Sequence, residues 1–267
     1  MTERILITGA AGSIGTAMRP RMAREGRVLR LLDIAPLGEA APGEELLTGS
    51  ITDLDGLTAA CDGVGAVIHL GGLSTENSWE NILTTNIHGS YAVYEAARRA
   101  GVPRVVFASS NHAVGFHPNG PAADYLFPRP DTYYGVSKVA GEALGSLYHD
   151  RYGLHVVCLR IGSCFPEPYG ERMLHTWLSY DDCARLLEAS LAAPEPGFRV
   201  VWGVSANTRG TWSLDEARAL GYQPQDDGEA YADQVQPDAE PELARYLGGK
   251  FCSPALDAPV TPPGRPA

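Results

Sequence analysis

Short apolar runs alternate with longer stretches of helical periodicity along most of this chain. Arg4 to Thr8, Val28 to Asp33, Ala66 to Leu70, Val105 to Ser109, Val156 to Ile161 and Arg199 to Gly203 are strand-like, and several are almost continuously apolar. Between them, Ile14 to Glu25, Leu54 to Cys61, Thr85 to Ala100, Tyr134 to Tyr152 and Asp181 to Ala192 are helix-like. Strands that lack an in-out alternation belong in a sheet covered by helices on both faces. The pattern therefore predicts an α/β fold, a doubly wound parallel sheet. Proline and glycine crowd Phe165 to Gly170 and Pro194 to Gly197, loops placed to build a small C-terminal substrate-binding cap. The expected organisation is one domain over residues 1–253, with substrate-binding elements mainly from 163–253. Pro254 to Ala267, proline-rich and aperiodic, is expected to form a loosely held tail.

Composition narrows the function classes. With 267 residues, 44% of them hydrophobic, the chain can fill the core of one large domain. A formal net charge of -11 without any basic block opposes binding to nucleic acid. No run reaches the roughly 18 to 20 apolar residues of a membrane span, and Met1-Thr2-Glu3-Arg4 leads straight into a strand without the features of a secretory signal. A cytoplasmic protein is the expectation. Five cysteines, an odd number without a Cys-x-x-Cys pair, fit reduced thiols, and the seven histidines lack ligand spacing, so no metal site is expected.

The first strand runs into Thr8-Gly9-Ala10-Ala11-Gly12-Ser13-Ile14-Gly15, directly before a helix. Glycines at 9, 12 and 15 let the backbone turn tightly and approach a pyrophosphate, whose charge the helix N-terminus favours. Asp33 closes the next strand, placed to accept hydrogen bonds from an adenosine ribose and to repel a 2′-phosphate, or else to cap the following turn. NAD is thus favoured over NADP, on a Rossmann-type sheet. Leu70, Gly71 and Gly72 end another strand where the chain must skirt the cofactor, although a simple turn has the same composition. Ser13, Ile14, Ile34, Ser50 and Ile51 flank these positions and complete the expected cofactor site.

Tyr134 and Lys138 lie one helical turn apart on one helix face. A free tyrosine, with a pKa of about 10, is a poor base at neutral pH. An ammonium neighbour favours phenolate, so Lys138 is expected to make Tyr134 acidic. Ser109-Ser110-Asn111 at a strand end can hold a substrate oxygen while its proton leaves.

On these residues the chain resembles an extended short-chain dehydrogenase/reductase. Phe107 to His112, Arg160 to Cys164, Pro166-Glu167-Pro168, Arg172-Met173-Leu174, Thr176-Trp177, Val201 to Asn207 and Gly248 to Phe251 are similar to NAD-dependent uronate dehydrogenases. The resemblance implies oxidation of D-glucuronate or D-galacturonate at C1 to the aldarolactone, with Tyr134 as base and Lys138 as its partner and a nicotinamide-ribose ligand. It implies sugar-acid contacts from Ser74, Ser110, Asn111, His112, Tyr134 and Arg172, a place near the nicotinamide for Ser163, and a homo-oligomer. The family's catalytic serine aligns with Ser110 or, by a shift of one, with Asn111. Where many relatives carry an adenine-binding aspartate this chain has Ser50, which leaves that contact to Ser50 or to main chain. Arg172 suits a carboxylate on chemical grounds as well, since a guanidinium is a planar fork. Pairing with Glu167 or Glu171 is its alternative. Two other readings stand beside this one: a sugar-nucleotide epimerase or dehydratase, and a non-catalytic NAD-sensing protein.

Overall fold

The structure, a computed structural model, describes residues 3–238 and 240–257. Its strands are β1 (Glu3–Thr8), β2 (Arg27–Asp33), β3 (Glu44–Thr48), β4 (Ala66–His69), β5 (Arg104–Ser110), β6 (His155–Ile161), β7 (Ser163–Cys164), β8 (Trp177–Leu178) and β9 (Phe198–Gly203). The helices are α1 (Ser13–Met22), α2 (Leu54–Ala60), α3 (Trp79–Asn81), α4 (Gly89–Arg99), α5 (Tyr133–Tyr152), α6 (Met173–Thr176), α7 (Tyr180–Ala192) and α8 (Asp215–Ala219). Seven strands form one parallel sheet in the order β3-β2-β1-β4-β5-β6-β9. The chain winds outward from β1 in one direction and restarts at β4 in the other, so the carboxyl ends of β1 and β4 flank the point where a ligand crevice opens.

The apolar strands divide their side chains between two layers. Ile5 and Ile7 join Met18, Met22, Leu186 and Leu187 on the face covered by α1 and α7. Leu6 between them joins Leu57, Val93, Tyr94 and Tyr148 under α2, α4 and α5. Side chains alternate across a strand, so an unbroken apolar run is what a sheet buried on both faces requires. A third cluster of Val114, Ala122, Trp202, Val204, Trp212 and Leu247 packs the residues after β5 against the end of β9 and the chain beyond it.

The expected strands and long helices are all present, with ends shifted by a few residues; α1 stops at Met22 rather than Glu25. One strand of the seven-stranded sheet escaped the hydrophobic reading, as did the short pair β7–β8. Glu44-Glu45-Leu46-Leu47-Thr48 is the sheet edge, none of its residues is fully buried, and its two glutamates pair with Arg19, Arg4 and Arg30. The helix expected over Thr85 to Ala100 is also longer and less regular: a π-helical stretch, Ile82–His88, precedes α4. Within the expected tail, Pro254–Asp257 forms a 3₁₀ turn, and residues 258–267 lie outside the described residues.

Candidate active site

The carboxyl ends of the sheet strands open onto a cavity of about 1220 Å³, lined by every cofactor, substrate and catalytic residue singled out from the sequence. Its three N-terminal glycines are required for different reasons. Gly9 has φ +71°, and a Cβ there would stand 2.6 Å from Gly71 N. A Cβ on Gly15 would stand 2.5 Å from Gly9 O. One on Gly12 would meet only Gly9 O, at 3.2 Å, so its missing side chain leaves room on the cavity side. Gly12 also begins α1 without a side-chain cap and with no acidic residue in the first turn. The helix N-terminus is left for an anion, and the cradle fits a dinucleotide pyrophosphate.

Asp33 caps the turn after β2 and also lines the cavity. Its Oδ2 accepts from Ala11 N and its Oδ1 from Ala35 N, both at 2.9 Å, which ties the glycine turn to the end of β2 while the residue still lines the cavity. The turn after β4 is fixed from beneath by His69. Burial pushes its imidazole down to about 3, with the charge on Lys138 adding to the shift, so the ring is neutral. It bonds Thr8 at 2.8 Å and Ser90 at 3.3 Å, and Thr8 Oγ1 accepts from Gly71 N. Ser50 bonds Thr52 and lines the cavity beside Ile51.

Helix α5 brings Tyr134 and Lys138 to the same cavity. Thr132 caps it by accepting from Gly135 N, and the Glu76 carboxylate accepts from Tyr133 N and Tyr134 N. The loop after β4, which carries Ser74, therefore holds the start of the helix that carries the tyrosine. Asn86, inside the π-helical stretch, clamps the same loop. Its Oδ1 accepts from Leu73 N, and its Nδ2 donates to Leu73 O and to Ser137 Oγ. Neither Asn86 nor Glu76 was singled out from the sequence. An asparagine within a helical pattern is a weak signal of such a clamp.

The expected acidification of Tyr134 by Lys138 is not what this environment produces. Tyr134, 7% exposed, is pushed up to about 12 by burial, against a lowering hydrogen bond from Ser110 and with a further rise from Asp131. Lys138 is itself pushed down to about 8 by burial, with Glu142 working the other way. Its Nζ donates to Ala108 O at 2.8 Å and stands 5.2 Å from the Tyr134 ring centroid. Desolvation is the largest cause for both groups, which lose water together. Glu142 is held in turn by a buried bidentate pair with Arg160 and by Ser109 Oγ.

At the far end, Arg172 Nη2 and Asn111 Nδ2 both donate to Leu247 O, the second at 2.9 Å. Among the described residues Arg172 makes no salt bridge, to Glu167, Glu171 or any other acid; burial lowers its pKa, opposed at longer range by Asp238 and Asp131. His112 stacks on Phe251 with centroids 3.9 Å apart and meets Tyr134 edge-on at 5.8 Å. Ser163 bonds Thr176 at 3.0 Å, and Ser110 Oγ accepts from His112 N. The five cysteines are buried and free, and no cluster able to hold a metal occurs among the described residues. No described helix is long and apolar enough to cross a membrane.

Residues 5–197 match the model of the NAD dependent epimerase/dehydratase family. The uronate dehydrogenase of Pseudomonas putida is 46% identical over 255 residues, which are 93% of this chain and 95% of that protein. Among solved structures, glucuronic acid dehydrogenase from Chromohalobacter salexigens gives a TM-score of 0.91 at 41% identity, covering 97% of this chain and 100% of the other. A tyrosine-to-alanine mutant of the Agrobacterium tumefaciens uronate dehydrogenase, complexed with NAD, gives 0.89 at 44% identity, covering 94% and 97%.

Proposed function

The chain belongs to the NAD dependent epimerase/dehydratase family and groups there with uronate dehydrogenases, and on that premise we propose that it oxidises a hexuronic acid, D-glucuronate or D-galacturonate, at C1 to the aldarolactone. One observation carries this reading. The guanidinium of Arg172, which makes no salt bridge among the described residues, lines the same cavity as the glycine cradle and the buried Tyr134.

Gly9, Gly12, Ser13, Ile14 and Gly15 would hold the pyrophosphate, Asp33 and Ile34 the adenosine ribose, and Ser50 and Ile51 the adenine. Leu70, Gly71, Gly72, Lys138 and Ser163 would line the path to the nicotinamide. NAD, when bound, supplies the acceptor for the two electrons and the hydrogen that leave C1. Arg172 takes the carboxylate, the group that separates a hexuronate from a hexose. Ser74, Asn111 and His112 line the sugar end, and Ser110 holds the anomeric oxygen. Tyr134 takes the proton from that oxygen, and the ring stays closed.

Lys138 makes the phenol usable despite its raised pKa. With Lys138 near 8 and Tyr134 near 12, the two groups together lose their first proton near 8, and the proton that remains rests mainly on the phenol. The tautomer with a phenolate beside an ammonium is the base.

The substrate-binding elements of this reading come mainly from 163–253. A cytoplasmic homo-oligomer is part of this reading, and the exposed Leu83, Tyr91, Leu147 and Tyr152 on the outer helices support the assembly. Mixing the protein with NAD and either uronate, with no nucleotide sugar present, is expected to produce NADH. Turnover that needs a nucleotide sugar would contradict the proposal and favour the epimerase or dehydratase reading.

A further inference from the structure

Behind the sugar end of the cavity, not lining it, lies the carboxylate of Asp131, whose side chain is 0% exposed. It sits two residues before α5. Its Oδ2 takes the His112 Nδ1 at 2.7 Å and its Oδ1 accepts from the Thr132 hydroxyl at 2.9 Å. Two glycines from distant segments close around it. A Cβ at either Gly115 or Gly248 would collide with Oδ2, and Gly248 N donates to Gly115 O at 2.9 Å. The imidazole that Asp131 holds cannot turn freely, since Phe251 covers one face at 3.9 Å and the Tyr134 ring meets it edge-on. Among the described residues nothing bonds its other nitrogen, Nε2, and His112 lines the cavity.

The geometry points to Asp131 as a positioning residue that acts through His112, fixing the imidazole as the Nδ1–H tautomer so that Nε2 accepts a hydrogen bond from a ring hydroxyl of the uronate. A buried carboxylate can accept but not donate, so the proton between the two groups belongs to Nδ1 in the neutral ring, and the free nitrogen is then an acceptor. A hydroxyl offered to Nε2 meets a lone pair whose direction is already set by the stack and the carboxylate, which is how an outer partner sharpens a binding contact. This role rests on the proposed uronate chemistry for the identity of the hydroxyl and on the observed contacts for the tautomer.

Nitrogen NMR on protein labelled in its histidines, with His112→Ala to assign the signals, reads the tautomer in the wild type. A proton on Nδ1 alone is expected; a proton on Nε2 overturns the role. In Asp131→Asn the side-chain amide can donate to Nδ1, so the ring proton moves to Nε2. The uronate KM should then rise about tenfold or more, with NAD affinity held within about twofold. On a His112→Ala background the same substitution should change the uronate KM by less than about twofold. A loss as large in that double variant as in the single one, or a parallel loss of NAD binding, would show a structural role instead. The two readings fail separately: a wild type inactive on uronates contradicts the function, whereas an Nε2–H imidazole contradicts the positioning.

Discussion

The two ends of the cavity are held by different means. At the cofactor end the backbone does the holding: Gly9 and Gly15 are close-approach positions next to the chain's own main chain, and Asp33 bonds two backbone N–H groups. At the sugar end, side chains hold one another and a distant segment. Asn111 and Arg172 share the carbonyl of Leu247, while His112 is fixed by Asp131 and Phe251. A backbone cradle suits a cofactor used by many proteins, whereas a web of side chains can be re-aimed at a particular sugar by few substitutions.

The difference can be broken from the sugar side without disturbing the cofactor. Tyr134→Phe should have the largest effect, lowering kcat by about a thousandfold or more while NAD binds as before; near-normal turnover would remove Tyr134 as the base. Arg172→Ala follows. Losing hydrogen bonds to a charged group costs about 1.5–3 kcal/mol, so the uronate KM should rise by roughly tenfold to a hundredfold. An unchanged KM would move the carboxylate anchor elsewhere.

Titration of the pair sharpens the comparison further. Because burial holds Lys138 down at about 8, kcat/KM for oxidation should rise with pH and level off past that value, as the pair sheds its first proton. Lys138→Met removes that step and should carry the limb upward towards the phenol's own value, about 12. A flat profile from pH 6 to 9 in the wild type would contradict that step. On the cofactor side the effect is smaller: Asp33→Ser, which removes the charge facing a 2′-phosphate, should narrow the preference for NAD over NADP by about tenfold, read from the two cofactors' KM values. Equal preference before and after the change would assign Asp33 to its turn alone.

The same contrast decides how much was legible in the sequence. Glycines at 9, 12 and 15, an acid closing β2 and a tyrosine-lysine pair are local patterns, and each states its own geometry. Arg172 was reached through the family resemblance, with the fit of a guanidinium to a carboxylate behind it, and the structure brings it to the same cavity. Edge strand β3 was hidden because its half-exposed, glutamate-led sequence lacks an apolar run. Asp131, Asn86 and Leu247 matter through partners away from them along the chain, as Leu247 does across 136 residues to Asn111. The raised Tyr134 was missed for a related reason: spacing puts Lys138 beside it but says nothing of the water both have lost.

Specificity for the carboxylate is the central claim, and initial rates of NADH formation with D-glucuronate and with D-glucose at equal concentration test it most directly. If Arg172 is the carboxylate anchor, a substrate lacking the carboxylate leaves that guanidinium unpaired, so the uronate should be favoured by about a hundredfold or more in kcat/KM. Comparable rates on the two sugars would contradict it.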